Sequence, residues 1–346
     1  MQGLYGHPAW FGAVMGTGAL ALVSASMSDA WNAAWLEPIA VVLLILANLL
    51  TLILWPRYFR RLKDREALRN ELSDPGSGAM LATFPAGLLI ISVAWSQIGP
   101  WIITERAALT IVAVLLVMGA VIAFVLSAAW ATSISRSGAG LEGVNGGWLI
   151  PPVINLIVPL GLAPLAIANP DSAELLLVVG FAFLGIGAVL FLAMLSLLVA
   201  RLALRPVFPA QMAPSLWIPL APAGMLGLST LRLMQAAEQT GAFGWSTSSA
   251  AIPIVAMGIG FGLWWALFAG IDLLRARREG FSYNPGWWGF VFPLAAMALS
   301  ITALAVTIDS LPVLIVGTLA ALVVAAVWLN VAAKSVQAIN RERRSA

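Results

Sequence analysis

Five of the ten long apolar stretches in this chain break near their middle with one shared pattern, and the five that alternate with them do not. The fragments are Met15-Gly16-Thr17-Gly18, Phe84-Pro85-Ala86-Gly87, Val158-Pro159-Leu160-Gly161, Ala221-Pro222-Ala223-Gly224 and Phe292-Pro293-Leu294-Ala295. Each reads as a residue, then Pro or Gly, then any residue, then Gly or Ala. The second positions, 16, 85, 159, 222 and 293, are separated by 69, 74, 63 and 71 residues. The alternate stretches carry proline only at their ends, as at Pro38, Pro56, Pro253 and Pro312. A five-fold period of this length predicts five copies of one helical hairpin.

The stretches themselves cover roughly 9–28, 36–56, 77–98, 107–133, 148–168, 174–201, 214–237, 250–274, 286–308 and 311–335. Crossing a hydrocarbon core as a helix takes about 20 mostly apolar residues, so each is long enough. Unbroken runs such as Ile111–Leu126 favour helices over the alternating pattern of a barrel strand. Composition agrees: 61% of the residues are hydrophobic and 10% charged, too few charges to coat a soluble protein of this size. The chain therefore reads as an all-α integral membrane protein, a single transmembrane channel or transporter domain over residues 1–346. The first stretch has no Lys or Arg before it, so it is read as a retained helix rather than a signal peptide.

Basic residues set the orientation. Of 18, 16 fall in the connections after the even-numbered stretches or in the tail, including Arg57, Arg60, Arg61, Arg136, Arg205, Arg277, Arg278, Arg343 and Arg344. Both termini are expected to be cytoplasmic. The same placement accounts for a pI near 9.8 at a net charge of only +3, so no nucleic-acid partner is expected.

A mid-helix proline removes a backbone hydrogen bond and kinks the helix, and in lipid the freed carbonyl is tolerated only where protein or water reaches it. The odd-numbered helices should therefore face inward and the even ones outward. All five odd helices then run in one direction about an axis along the membrane normal and can enclose a pore. An inverted-repeat carrier needs antiparallel copies. The proposed lining at the kinks is Gly16, Gly18, Pro85, Gly87, Pro159, Gly161, Pro222, Gly224 and Pro293. Small residues there also let helices approach closely.

The inward set is nearly free of ionisable groups, which disfavours a proton-coupled carrier. Zero cysteines and a single histidine, His7, exclude zinc–thiolate and iron–sulfur sites and multi-histidine metal sites. No cofactor, metal or enzymatic activity is expected. What remains is a weakly polar set: Thr17, Ser24, Thr83, Ser92, Asn155, Ser229, Thr230, Ser300 and Thr302. Such groups either coordinate an anion weakly or bond carbonyls of their own helices. Arg232, 18 residues past position 214, lies about 27 Å along the seventh helix at about 1.5 Å per residue. It is either an anion-attracting charge in the outer mouth or an interfacial arginine paired to Glu105, Glu238 or Asp309. Phe84 and Phe292 precede the kink prolines, where a ring can close a pore by excluding water; ordinary helix packing is the other reading. His7 reads as a helix-start residue, and tryptophans near helix ends, such as Trp31, Trp35, Trp148 and Trp288, as an interfacial belt.

The segment Pro8-Ala9-Trp10-Phe11-Gly12-Ala13-Val14-Met15-Gly16-Thr17-Gly18 resembles the opening helix of the tellurite-resistance/dicarboxylate transporter family. Ala82-Thr83-Phe84-Pro85-Ala86-Gly87 is similar to its third helix, and Trp287-Trp288-Gly289-Phe290-Val291-Phe292-Pro293-Leu294 to its ninth. That family includes bacterial tellurite-resistance channels, plant slow-type anion channels, fungal malate carriers and sulfite exporters. The resemblance implies ten helices as five hairpins around a pore, a homotrimer with one pore per protomer, and occlusion of the pore by Phe292. The resulting expectation is a passive channel or facilitator for small anions in the bacterial inner membrane. The alternative is a carrier of C4-dicarboxylate or sulfite, with or without proton coupling.

Overall fold

The computed structural model describes residues 8–245 and 248–345. His7 lies outside the described residues, as do the side chains of Arg57, Arg60, Arg61, Arg343 and Arg344. Among the described residues every regular element is helical. The helices are α1 (Phe11–Trp31), α2 (Glu37–Leu62), α3 (Arg65–Ser73), α4 (Pro75–Leu81), α5 (Thr83–Ile98), α6 (Glu105–Ser137), α7 (Ile150–Ala168), α8 (Ala173–Leu204), α9 (Leu220–Thr240), α10 (Ile252–Arg278), α11 (Trp288–Thr307) and α12 (Leu311–Ser345).

Ten helical segments are long and apolar enough to cross a membrane. Burial divides them sharply. In the segments containing α1, α5, α7, α9 and α11, between 72% and 89% of the central residues are buried; in those containing α2, α6, α8, α10 and α12, only 17% to 28% are. The buried helices form a closed circuit of contacts: α1 packs on α5, α5 on α7, α7 on α9, α9 on α11, and α11 back on α1. Each exposed helix packs against the buried helix next to it in sequence, as α2 does on α1 and α12 on α11. Residues such as Val117, Val121 and Val125 of α6 or Leu319 and Leu322 of α12 leave apolar side chains exposed. Only lipid or another protein surface can cover them at low cost.

Three buried spans begin on the same local device. Asp74 Oδ2 accepts from Ser77 N at 2.7 Å, Asn145 Oδ1 from Gly147 N at 2.8 Å, and Asn284 Oδ1 from Gly286 N at 2.8 Å. Each satisfies a backbone N–H that a helix start leaves unpaired. The third span is broken at Ala82, where α4 gives way to α5 just before Pro85. The seventh starts as a 3₁₀ segment, Ala210–Trp217, and becomes α-helical only after Pro219.

Small residues sit where buried helices meet. A Cβ on Gly224 of α9 would stand 2.7 Å from the carbonyl oxygen of Ala296 on α11, and one on Gly16 would stand 3.0 Å from the Val291 side chain. Gly18 and Gly87 likewise face Ile90 and Val14 across the α1–α5 contact. The tryptophan belt is only partly as expected. Trp31 and Trp35 are exposed, whereas Trp10, Trp148 and Trp288 are buried in the bundle, because their spans begin inside the packed end.

Candidate functional site: two cavities on the bundle axis

Two cavities lie at opposite ends of the buried helices, and all five helical spans contribute to both. The larger, about 500 Å³, is lined from α1 by Leu22, Ser26 and Asp29, from α5 by Val93, Ser96 and Gln97, and from α7 by Leu160 and Pro164. Leu228, Arg232, Gln235 and Gln239 of α9 and Leu299, Thr302 and Thr307 of α11 complete it. The smaller, about 70 Å³, is lined by Gly12 and Met15, by Met80 and Thr83, by Ile150 and Val153, by Ile218 and Ala221, and by Gly289, Phe292 and Pro293. In each span the smaller cavity takes the earlier residues and the larger the later ones. The five buried helices therefore run parallel, with their N-terminal ends around the smaller cavity.

The first residue that each helix gives the larger cavity is apolar: Leu22, Val93, Leu160, Leu228 and Leu299. On four helices this residue stands seven positions after a residue of the smaller cavity, namely Met15, Val153, Ala221 and Phe292. Seven residues are about 10 Å of helix. The two cavities are thus separated by an apolar zone with Phe292 on one side and a collar of four leucines and a valine on the other. The collar was missed in the sequence, although its spacings of 71, 67, 68 and 71 residues are more even than those of the prolines.

The collar also fixes the phase of α7. Leu160 is level with Leu228 and Val153 with Ala221, which puts Ile154, not Pro159, opposite Pro222. The caps agree: Asn145 precedes Ile154 by nine residues, as Asn284 precedes Pro293. Pro159 and Gly161 therefore sit more than a turn further along α7 than the other kink motifs. Gly161 faces Leu116 of the outer helix α6 rather than another inner helix.

Phe292 is 4% exposed and faces the smaller cavity beside Pro293. Phe84 is elsewhere. Its ring stacks on Tyr58 at 5.1 Å between centroids and meets Phe11 edge-on at 5.2 Å, with Trp55 at 5.9 Å. It lines neither cavity and joins α5 to α1 and α2. Gly16, Gly18, Pro85, Gly87, Pro222 and Gly224 line neither of these two cavities, and Pro293 lines the smaller one.

Most of the weakly polar set bonds helix carbonyls. Ser24 donates to Leu20 O, Asn155 to Pro151 O, Thr230 to Leu226 O and Thr302 to Ala298 O, all at 2.8–2.9 Å. Ser92 and Ser229 donate to Val112 O and Leu156 O on neighbouring helices. Thr17 accepts from Trp328 Nε1 at 3.0 Å. Only Thr83 and Thr302 of this set reach a cavity. Sequence alone could not separate the two uses, because both put a hydroxyl in a buried helix.

Arg232 extends into the larger cavity, where Nη1 donates to Gln235 Oε1 at 3.0 Å. Across the cavity Asp29 accepts from Gln97 Nε2 at 2.9 Å. Glu105, Glu238 and Asp309 do not pair with the guanidinium; Glu238 instead accepts from Ser248 N at 2.9 Å. The cavity therefore holds one guanidinium and one carboxylate, each bonded to an amide side chain. Among the described residues no group of three or more His, Asp or Glu could hold a metal ion.

These features define a multi-pass helical membrane protein of the channel and transporter class, with two cavities along its buried helices. A model of the voltage-dependent anion channel family matches residues 5–336, and the chain belongs to that family, which also contains the tellurite-resistance/dicarboxylate and sulfite transporters. The family is one of transporters and channels, not enzymes. Among its relatives, an uncharacterized transporter of Methanocaldococcus jannaschii is 29% identical over 298 residues, covering 85% of this chain and 82% of its own. The sulfite efflux pump of Arthroderma otae is 27% identical over 355 residues, 95% of this chain and 90% of its own. That of Trichophyton rubrum is 26% identical over 359 residues with the same coverage.

Proposed function

We propose that this chain is a passive channel or facilitator for small anions, built as five helical hairpins around a central pore with the kinked helices inside. The observation that carries the reading is the pair of cavities on one axis, each built by all five buried spans and separated by an apolar zone. An anion in that zone loses hydration without gaining donors, at a cost of order several kcal/mol. The zone is therefore a closed gate, with Phe292 as its bulkiest member. Parallel packing points five helix N-termini at the smaller cavity, and helix N-termini favour anions. Arg232 offsets the five C-terminal ends at the other mouth.

The same proposal includes placement in a bacterial inner membrane with both termini cytoplasmic, and assembly as a homotrimer through part of the exposed apolar face. A second reading, export of sulfite by a carrier mechanism, is favoured by the likeness to sulfite efflux pumps. Flux measurements on the protein in liposomes separate the two. A channel's flux follows imposed voltage without saturating at low millimolar anion. A carrier saturates, and a proton-coupled one follows an imposed pH gradient at zero voltage. Saturating, voltage-independent flux would overturn the channel reading.

A further inference from the structure

Away from the axis, a cavity of about 590 Å³ lies between α3 and the last two turns of α6. Its charged lining is of one sign: Arg65 and Arg69 from α3 and Arg136 from α6. Among the described residues none of these three guanidinium groups has a carboxylate within 4 Å or a hydrogen-bond acceptor. Arg65, Leu68, Arg69 and Leu72 fall at i, i+3, i+4 and i+7, which is one face of a helix; Glu66 and Glu71 of α3 do not line the cavity. On α6 the lining residues from Ala129 to Ser137 follow the same spacing. Beside it the buried Trp130 of α6 donates from Nε1 to Pro75 O at 3.0 Å, tying α6 to the start of α4.

The location narrows the occupant. The cavity ends a helix whose exposed face is apolar for turns before it, through Val117, Val121 and Val125. An acyl chain lying along that face brings its headgroup to the three arginines. Leu68 and Leu72 add apolar side chains to the same lining. Unpaired guanidinium groups bind phosphate oxygens in a bidentate fashion, and basic pockets beside membrane-spanning helices take anionic headgroups. We propose that Arg65, Arg69 and Arg136 form a binding site for the phosphate of an anionic membrane phospholipid whose acyl chain lies along α6.

The test uses the full chain in a zwitterionic detergent, titrated with phosphatidylglycerol, phosphatidylcholine or inorganic phosphate. Thermal unfolding and retained lipid by native mass spectrometry are read, and neither readout depends on conduction. Phosphatidylglycerol is expected to raise Tm and to stay bound, with phosphatidylcholine and phosphate ineffective. The Arg65→Gln/Arg69→Gln/Arg136→Gln variant is expected to lose that shift, and the exposed pair Arg277→Gln/Arg278→Gln at the same end to keep it. If the triple variant does not fold, Arg136→Gln alone is read for a partial loss and Arg136→Lys for its rescue. An unchanged shift in the arginine variants overturns the site. An equal shift with phosphatidylcholine or with phosphate alone overturns the lipid as its occupant.

Discussion

Phe292 and Leu299 stand seven residues apart on α11 and line different cavities, one on each side of the apolar zone. One helix thus carries both faces of the proposed barrier, and the two can be tested separately. Phe292→Ala is expected to raise basal anion flux in liposomes markedly, with assembly unchanged by size-exclusion chromatography. Leu299→Ala removes one of five collar members and is expected to raise it less. A well-folded Phe292→Ala protein that conducts no more than the parent would assign the gate to the collar or to a moving carrier.

Phe84→Ala serves as the contrast. Its ring belongs to the cluster of Phe11, Tyr58 and Trp55, so truncation leaves a cavity there and is expected to cost about 3–5 kcal/mol of stability. The check is a lower Tm in detergent with basal flux no higher than the parent's.

Arg232→Ala is expected to lower flux at low ionic strength and to matter less as salt rises. The Debye length falls from about 30 Å at 0.01 M to about 10 Å at 0.1 M, so a charge acting through the cavity's field fades over that range. Arg232→Lys keeps the charge and most of the flux. Asp29→Asn removes the carboxylate lining the same cavity and is expected to act in the opposite direction. A salt-independent loss in Arg232→Ala would reveal a packing role.

Gly224→Ala places a methyl group 2.7 Å from the Ala296 carbonyl oxygen, a contact that backbone can relieve only by moving α9 away from α11. Overpacking of this kind costs about 1–3 kcal/mol. The expected result is a lower Tm and lower yield. Gly185→Ala on α8, where nothing lies within 4 Å of the added atom, is the matched control and is expected to be neutral or stabilising.

Tyr283 lies between α10 and α11, half-buried and 2.7 Å from Ser335 Oγ, and burial raises its phenol above the ordinary range. A raised pKa means that the folded state favours the protonated form. The stabilisation is therefore complete below the ordinary phenol pKa of about 10 and is lost as pH rises through the higher folded value. Unfolding followed from pH 9 to about 12 is expected to show a decline in Tm. Tyr283→Phe should remove that component while leaving any decline from other groups.

The spans were legible because hydropathy over about 20 residues is a local property; Pro56, read as the end of the second stretch, instead lies inside α2, which runs on to Leu62. The amphipathic α3 was not anticipated, since nine residues with mixed charge look like a solvated connection. Phe84 and Phe292 share the same Phe-Pro step, yet one ring turns to Tyr58 and the other to the axis; that choice depends on the helix rotation set by neighbours. The α7 phase failed for a related reason. Pro159 satisfied the pattern locally, whereas the caps at Asn145 and Asn284 carried the register and were not used. Hydroxyl positions were found but their use was not, because a serine's bond to a carbonyl is decided by packing.

The residues that the five spans give the smaller cavity are unequal in bulk, with Met15, Thr83, Val153 and Ala221 against Phe292. The collar above them is nearly uniform. Under the proposed gating, occlusion at the lower level is a trait of a single codon, open to gain or loss in one mutational step without disturbing the other four copies. Occlusion at the collar is shared among five codons and can drift only gradually. Descendants of one such chain can diverge quickly in how readily they conduct while keeping the same wall.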